Sequence, residues 1–172
     1  MASSTVDRAA FMDLVLSKEG CPYVWGGKGF AQWTRTGLQV HGFADAQNHP
    51  LECFDCAGLI TSCLHTLGGQ DWRAARGAHD LATLLPKLSA EESINPLPGS
   101  VACYGHEDEA GLTRISHVML IVGDGQVFGA CQGGSDTLTP EIAKKQGARV
   151  RYRPRIRYRA DFRWLVHLPL SD

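Results

Sequence analysis

The sequence predicts an α+β domain in which N-terminal helices pack on an antiparallel sheet. Helix-forming patterns are confined to the part of the chain before residue 86. Strand-forming patterns follow from about residue 100, and Asp124-Gly125 is a strong signal for a hairpin turn between two of them. Helices first and strands afterwards are typical of α+β folds, whereas a parallel sheet requires the two to alternate.

Two long helices are predicted in the first part of the chain. The first covers Thr5–Glu19, where Ser3 and Ser4 act as caps and Gly20 ends the helix. The second covers Cys56–Leu67 and has Asp55 at its N-cap position.

One short helix and five strands complete the prediction: a helix at His79–Leu85, then strands at Ser100–Tyr104, His117–Val122, Gln126–Cys131, Val150–Tyr158 and Leu165–Leu168.

Residues 28–52 follow neither the helical nor the strand period and form a long insertion. They are interpreted either as a binding loop or lid, or as a surface excursion with a small core of its own. The aromatic and basic residues that would line a cleft under the first interpretation are Phe30, Trp33, Arg35, His41 and Phe43.

Composition favours one globular domain over residues 1–172 and excludes a disordered or fibrous chain. The formal net charge is -1, but residues 141–172 hold 9 Lys and Arg against 3 Asp and Glu, so a basic strand region occupies about 148–168. Nucleic-acid binding is not expected, because the net charge of the whole chain is close to zero. The longest apolar run, Val118–Val122, is far too short to span a membrane, and no secretory signal is visible. The expected site of synthesis is therefore the cytoplasm.

Cys56 is the main candidate for chemistry among six cysteines. A thiol at a helix N-terminus is close to the positive end of the helix dipole, which favours the nucleophilic thiolate. The unpaired N–H groups of the first turn can also donate to an oxyanion that forms beside the sulfur. The alternative is a small buried apolar residue.

A nucleophilic cysteine needs a base, and His117 is the strongest candidate. It begins the most hydrophobic predicted strand, where a histidine is costly to bury without a partner. The alternative is a histidine at the edge of the core that is bonded to a carbonyl group.

Two rival interpretations of the cysteines are weaker. Cys53-Phe-Asp-Cys56 has the CxxC spacing of thiol–disulfide oxidoreductases, but no βαβ alternation surrounds it. A zinc site at Cys53, Cys56, Cys63 and His65 fails because His65 points away from the helix face that Cys56 and Cys63 share. No metal or cofactor is expected.

Four segments in order resemble the NlpC family of papain-like cell-wall cysteine peptidases. They are Cys21-Pro-Tyr-Val-Trp-Gly-Gly, Phe54-Asp-Cys-Ala-Gly-Leu-Ile, Pro98-Gly-Ser-Val and Ser116-His-Val-Met-Leu-Ile-Val-Gly-Asp-Gly. The resemblance implies a papain-like NlpC fold with Cys56 as nucleophile and His117 as general base. It also implies that Tyr23 supplies a hydroxyl near the oxyanion site and that Asp55 binds the amine of a stem peptide.

The chain departs from the family pattern at two positions. Ala57 stands where a serine commonly follows the nucleophile, and Gly129 stands where a polar residue usually orients the histidine. If the hairpin at Asp124-Gly125 has a two-residue turn, Gln132 lies opposite His117; a three-residue turn with a bulge places Cys131 there instead. Gln132 is the predicted orienting residue, and a Cys–His dyad is the alternative.

The expected function is therefore hydrolysis of peptidoglycan stem peptides by a cysteine endopeptidase. The resemblance suggests cleavage between D-γ-glutamate and the diamino acid. Alternatives are an amidase or acyltransferase with a non-wall substrate, and a non-catalytic binding module. Delivery as a phage lysin, as a virion-associated enzyme or by injection is expected from the absence of a visible signal. Six alternating arginines from Arg149 to Arg159 form either a solvated sheet face or a surface that attracts anions.

Overall fold

The computed structural model describes residues 5–172 and has a mixed helix and sheet architecture. Its four α-helices are α1 (Arg8–Leu16), α2 (Cys56–Thr66), α3 (Ala78–Leu84) and α4 (Pro140–Gln146). The caps predicted at Ser3 and Ser4 lie outside the described residues. Helix α1 begins later than predicted, after Asp7, whose carboxylate accepts a hydrogen bond from the N–H of Ala10 at 2.7 Å.

The strands of the described residues are β1 (Val6–Asp7), β2 (Gly27–Gly29), β3 (Ala31–Thr34), β4 (Gly37–Val40), β5 (Cys53–Phe54), β6 (Val101–Glu107), β7 (Thr113–Gly123), β8 (Gln126–Cys131), β9 (Arg149–Arg153), β10 (Phe162–Val166) and β11 (Leu170–Ser171). The main sheet is antiparallel throughout, in the order β10-β6-β7-β8-β9. A smaller antiparallel sheet has the order β4-β3-β2-β5, and β1 pairs in parallel with β11. The predicted α+β class, with N-terminal helices on an antiparallel sheet, is confirmed.

Both faces of the main sheet are covered. Val118 and Leu120 of β7 pack in the core that contains α1 and α2, while Met119 and Ile121 pack on the other face. That second face is closed by side chains of the C-terminal segment, among them Tyr158 and Phe162. Burial on two faces explains why β7 is the most hydrophobic strand in the sequence.

The arginine-rich strand is shorter than predicted. Strand β9 ends at Arg153, directly before Pro154, and Ile156–Tyr158 form a short 3₁₀ helix instead of continuing the strand to Tyr158. Proline has no backbone N–H with which to extend the ladder. The alternation of arginines continues beyond the break, so the pattern alone did not reveal it.

The insertion at 28–52 contains regular structure, because β3, β4 and part of β2 lie within it. These strands have three or four residues each, too few to establish a period in the sequence. Helix α4 was also missed, although its signals are present: Thr139 caps it, Pro140 is its first residue, and Gly147 follows it with a φ of 68°.

Within residues 5–172, none of the helices has the length and apolar character that a bilayer crossing requires.

The packing of β2 against α2 depends on Gly58. A Cβ atom at this position would lie 1.9 Å from the carbonyl oxygen of Gly27 and 2.7 Å from Oδ1 of Asp55. We expect Gly58→Ala to lower the free energy of unfolding by about 1–3 kcal/mol or more, because backbone atoms must move apart. Inside an ordinary helix, replacement of glycine by alanine instead raises the free energy of unfolding by ~1 kcal/mol.

Chemical denaturation of the purified variant measures this change. Gly42→Ala is the matched control, since a Cβ at Gly42 meets no atom within 4 Å. A Gly58→Ala protein as stable as the wild type would contradict the predicted close approach.

Candidate active site

Cys56 is the first residue of α2, and its position is fixed by the cap before it. The Asp55 carboxylate accepts a hydrogen bond from the N–H of Gly58 at 2.6 Å, and the Asp55 N–H donates to the carbonyl of Gly27 at 3.1 Å. The helix therefore starts at a defined residue, with its unpaired first-turn N–H groups around the sulfur. Cys56 is 7% exposed and lines a cleft of about 310 Å³.

His117 lies on β7, directly before Val118. The backbone N–H groups of Val118 and of Ala57 are hydrogen-bond donors to the Cys56 sulfur. His117 is 6% exposed and is paired across the sheet with Tyr104 of β6. The strand that carries His117 thus meets the start of α2 at the adjacent residue Val118, although Cys56 and His117 come from opposite halves of the chain.

Burial keeps both groups uncharged. It raises the pKa of the Cys56 thiol to about 11, and the Asp55 carboxylate adds to the rise. It lowers the pKa of His117 to about 3, and the positive charges of Arg159 and Arg153 contribute to the same direction. At neutral pH the site therefore holds a thiol and a neutral imidazole rather than a thiolate–imidazolium pair.

Tyr158 is the hydrogen-bond partner of the imidazole. Its hydroxyl lies 2.8 Å from Nε2 of His117. Burial raises the pKa of Tyr158, so the hydroxyl remains protonated. When Nε2 carries the imidazole proton, it donates to the tyrosine oxygen and leaves Nδ1 as the basic nitrogen. Sequence reasoning missed this residue.

Gln132 does not orient His117 in this structure, contrary to the prediction. The Asp124-Gly125 turn has two residues, but a bulge follows it, and the ladder then pairs Ile121 with Val127. Continued along the strands, this register places Cys131 opposite His117. Gln132 has a φ of 70°, which directs the chain out of the strand.

The side-chain oxygen of Gln132 instead accepts hydrogen bonds from Arg151 and Arg153.

Tyr23 lines the same cleft as Cys56, in agreement with its predicted location. Its ring is buried and lies against Gly133, where a Cβ atom would be only 2.1 Å from the ring. Burial raises the pKa of Tyr23, and the nearby Cys56 and Asp55 act in the same direction. The hydroxyl is therefore a neutral donor close to the sulfur.

Asp55 already has an amine partner within the chain. Its carboxylate is 3.1 Å from the ammonium group of Lys28, which is 6% exposed, and it accepts a further hydrogen bond from the N–H of Gly26 at 3.2 Å. A substrate amine, the predicted partner of Asp55, has to compete with Lys28. No periodic pattern indicated Lys28 in advance, because β2 has only three residues.

All six cysteines are free, including the pair at Cys53 and Cys56. Between residues 5 and 172, no three His, Cys, Asp or Glu side chains group together as a metal site would require.

The neutral state of the thiol has a measurable consequence. We expect alkylation of Cys56 by iodoacetamide to accelerate about tenfold per pH unit between about pH 7 and 9, because the raised pKa leaves only a small thiolate fraction that grows with pH. Peptide mapping by mass spectrometry after timed labelling isolates Cys56 from the other thiols.

His117→Ala is the control for this measurement, and its profile is expected to have the same slope. A wild-type rate that levels off below about pH 7, and loses that plateau in His117→Ala, would instead demonstrate a thiolate–imidazolium pair.

Comparison with solved structures identifies the fold. NlpC1 from Trichomonas vaginalis has a TM-score of 0.61 and 20% identity, over 100% of this chain and 47% of that one. The peptidoglycan hydrolase RipB from Mycobacterium tuberculosis has a TM-score of 0.57 and 18% identity, over 95% and 65%. RipD from the same organism, described as a non-catalytic NlpC/p60 domain protein adapted to peptidoglycan binding, has a TM-score of 0.56 and 19% identity, over 94% and 96%.

This chain spans about half the length of the Trichomonas protein. No protein-family model and no curated protein sequence matches it. The structural likeness agrees with the resemblance of the sequence segments around Tyr23, Cys56 and His117. The chain therefore has the papain-like fold of NlpC/P60 peptidoglycan hydrolase domains.

Proposed function

We propose that this chain is a cysteine endopeptidase that cleaves peptidoglycan stem peptides between D-γ-glutamate and the diamino acid. The observation that carries the proposal is the free Cys56 thiol at the start of α2, which faces the backbone N–H of Val118, the residue after a histidine whose Nε2 is bonded to Tyr158. Its position in an open cleft on an NlpC/P60 fold supports the choice of substrate.

In the first step, His117 acts as a general base. Nδ1 takes the proton of the Cys56 thiol while the sulfur forms a bond to the carbonyl carbon of the scissile amide. Because both groups start uncharged, proton transfer accompanies attack and charge develops only in the transition state. The Tyr158 oxygen stabilises the imidazolium by accepting from Nε2.

The carbonyl oxygen becomes an oxyanion during this attack. We assign its stabilisation to the first-turn N–H groups of α2 and to the Tyr23 hydroxyl, which is protonated because its pKa is raised. Nδ1 of His117 then returns the proton to the amine of the diamino acid, and the C–N bond breaks. Water hydrolyses the resulting thioester, with His117 again as base.

The cleft offers charges suited to a stem peptide, which is rich in carboxylates. Arg73 and Arg76 lie along it on the side of α3. Arg73 is paired with Asp71, whereas the guanidinium of Arg76 stacks on Trp72 at 4.2 Å. Lys28 is neutralised by Asp55. We propose that Arg76 attracts a carboxylate on the acyl side of the substrate. The proposed place of action is the cell wall.

Peptidoglycan binding without hydrolysis is the second candidate. It is favoured by the raised pKa of Cys56, which leaves little thiolate in the resting site, and by the ion pair between Lys28 and Asp55. RipD illustrates that an NlpC/p60 domain can have this role.

Substitution of the catalytic pair separates the two candidates. We expect Cys56→Ala and His117→Ala each to reduce hydrolysis of a defined stem peptide by about 10³-fold or more, because nucleophile and base act as one unit. Mass spectrometry of the products measures this loss and identifies the bond cleaved.

Cys21→Ser is the matched control, since Cys21 is a partly buried free thiol with no proposed part in the reaction. Full activity in Cys56→Ala would refute the peptidase assignment. Sedimentation of wild-type protein with purified sacculi, without any product, would favour the binding module.

Tyr158 is proposed as a positioning residue that acts through His117. We expect Tyr158→Phe to lower kcat about fivefold to tenfold with little change in KM, because a hydrogen bond between neutral groups contributes ~1 kcal/mol. Steady-state kinetics with a stem peptide tests this expectation.

Tyr152→Phe is the control, since this tyrosine is more exposed and packs on Phe128 rather than on the histidine. A Tyr158→Phe enzyme with the wild-type kcat and an unchanged pH profile would exclude a role in positioning His117.

A further inference from the structure

Two arginines of β9 converge on a single neutral oxygen. Nη1 of Arg151 donates to Oε1 of Gln132 at 2.9 Å, and Nη2 of Arg153 donates to the same atom. We call Gln132, Arg151 and Arg153 the arginine cluster. One amide oxygen satisfies only one N–H of each guanidinium, although a guanidinium has five.

The charge of the cluster is not compensated within the described residues. Neither arginine forms a salt bridge there, whereas Arg159, a few positions later, has Asp161 at 2.6 Å. The buried Nε atoms of both Arg151 and Arg153 also have no hydrogen-bond partner among residues 5–172. Two guanidiniums held together without a carboxylate repel each other, and an anion bound between them removes that repulsion.

The cluster is next to two tyrosines of the candidate site, Tyr158 and Tyr23. The guanidinium of Arg153 lies over the ring of Tyr158, 5.2 Å from its centroid, and that tyrosine is bonded to His117. On the other side, Gly133 follows Gln132 directly and packs against the ring of Tyr23.

The cluster lies outside the substrate cleft. That cleft is lined from α2 and the segment leading into α3, and it contains none of the cluster residues. Gln132 directly follows β8, and Arg151 and Arg153 lie on the neighbouring strand β9. Tyr23 connects the two, because it lines the cleft beside Cys56 and its ring packs on Gly133, the residue after Gln132.

We propose that the arginine cluster binds the α-carboxylate of the amino acid that leaves during hydrolysis. This inference rests on the proposed function, in which His117 protonates the amine of the leaving diamino acid. The leaving residue is then the part of the substrate next to the neighbours of His117, and its free carboxylate meets Arg151 and Arg153. The enzyme accordingly prefers stem peptides that end at the diamino acid.

Binding of this carboxylate also acts on the catalytic base. Arg153 is one of the positive charges that lower the pKa of His117, so an anion at the cluster offsets its effect. The correct substrate thereby makes the imidazole a stronger base at the moment when the thiol has to lose its proton.

Two peptides test the proposal: L-Ala-γ-D-Glu-L-Lys with a free C-terminal carboxylate, and the same peptide with a C-terminal amide. We expect the wild type to cleave the acid with a kcat/KM about tenfold or more above that for the amide, as for a charge-assisted bidentate contact. In Arg153→Gln and Arg151→Gln the ratio falls towards one. Arg155→Gln removes the same charge from an exposed position outside the cluster and is expected to keep the wild-type ratio.

Calorimetric titration of both peptides into Cys56→Ala protein provides a measurement that does not depend on hydrolysis. The carboxylate site is supported if Cys56→Ala protein binds the acid more tightly than the amide. This preference is expected to disappear when Arg153→Gln is combined with Cys56→Ala and to remain when Arg155→Gln is combined with it. The binding result supports the site even if the wild type cleaves neither peptide. Absence of cleavage would overturn only the proposed function. Equal affinity for acid and amide, or equal effects of Arg153→Gln and Arg155→Gln, would overturn the carboxylate site. Thermal unfolding of each variant verifies that it is folded.

Discussion

The arrangement of this site depends on one carboxylate at the start of α2. Asp55 accepts hydrogen bonds from the N–H groups of Gly58 and Gly26 and forms an ion pair with Lys28. These contacts tie the helix, the turn before β2 and β2 itself to one point, and Cys56 follows immediately. Since Asp55 is largely screened from water, each contact is stronger than it would be on the surface. The same carboxylate opposes ionisation of the neighbouring thiol, so the group that positions the Cys56 sulfur also helps to keep it protonated.

Burial of the main sheet on both faces likewise affects both the position and the protonation of a site residue. This packing buries residues 117–121 of β7 and so fixes the position of His117, but it also removes the solvent that a charged imidazole needs. Tyr158 accommodates this environment, because a neutral hydroxyl bonds a neutral imidazole without introducing a charge. A carboxylate in that position would favour the imidazolium, and a different division of protons between Cys56 and His117 would follow.

The parts of the site that could be predicted from the sequence are those with local signals. Cys56 was identified by a capping residue and a helical stripe, and His117 by an apolar run with strand length. The class of fold followed from the order of these patterns. Tyr158 gave no such signal, because its place depends on the break at Pro154, after which the chain crosses the second face of the sheet. Gln132 was misplaced because the hairpin shifts its pairing at a bulge after a correctly identified turn. Such a register depends on backbone geometry that side-chain patterns do not report.

The break at Pro154 has a consequence for the way the protein is made. Cys56 and His117 are synthesised before the segment that supplies the partner of the imidazole, and that segment closes the sheet only when Tyr158 and β10 are in place. Chains emerge from the ribosome with the N-terminal part first. During translation, the thiol and the histidine are therefore already present while the residue that fixes the imidazole is still missing. The hydrogen bond to the imidazole therefore forms only once the segment after Pro154 has folded back onto the sheet.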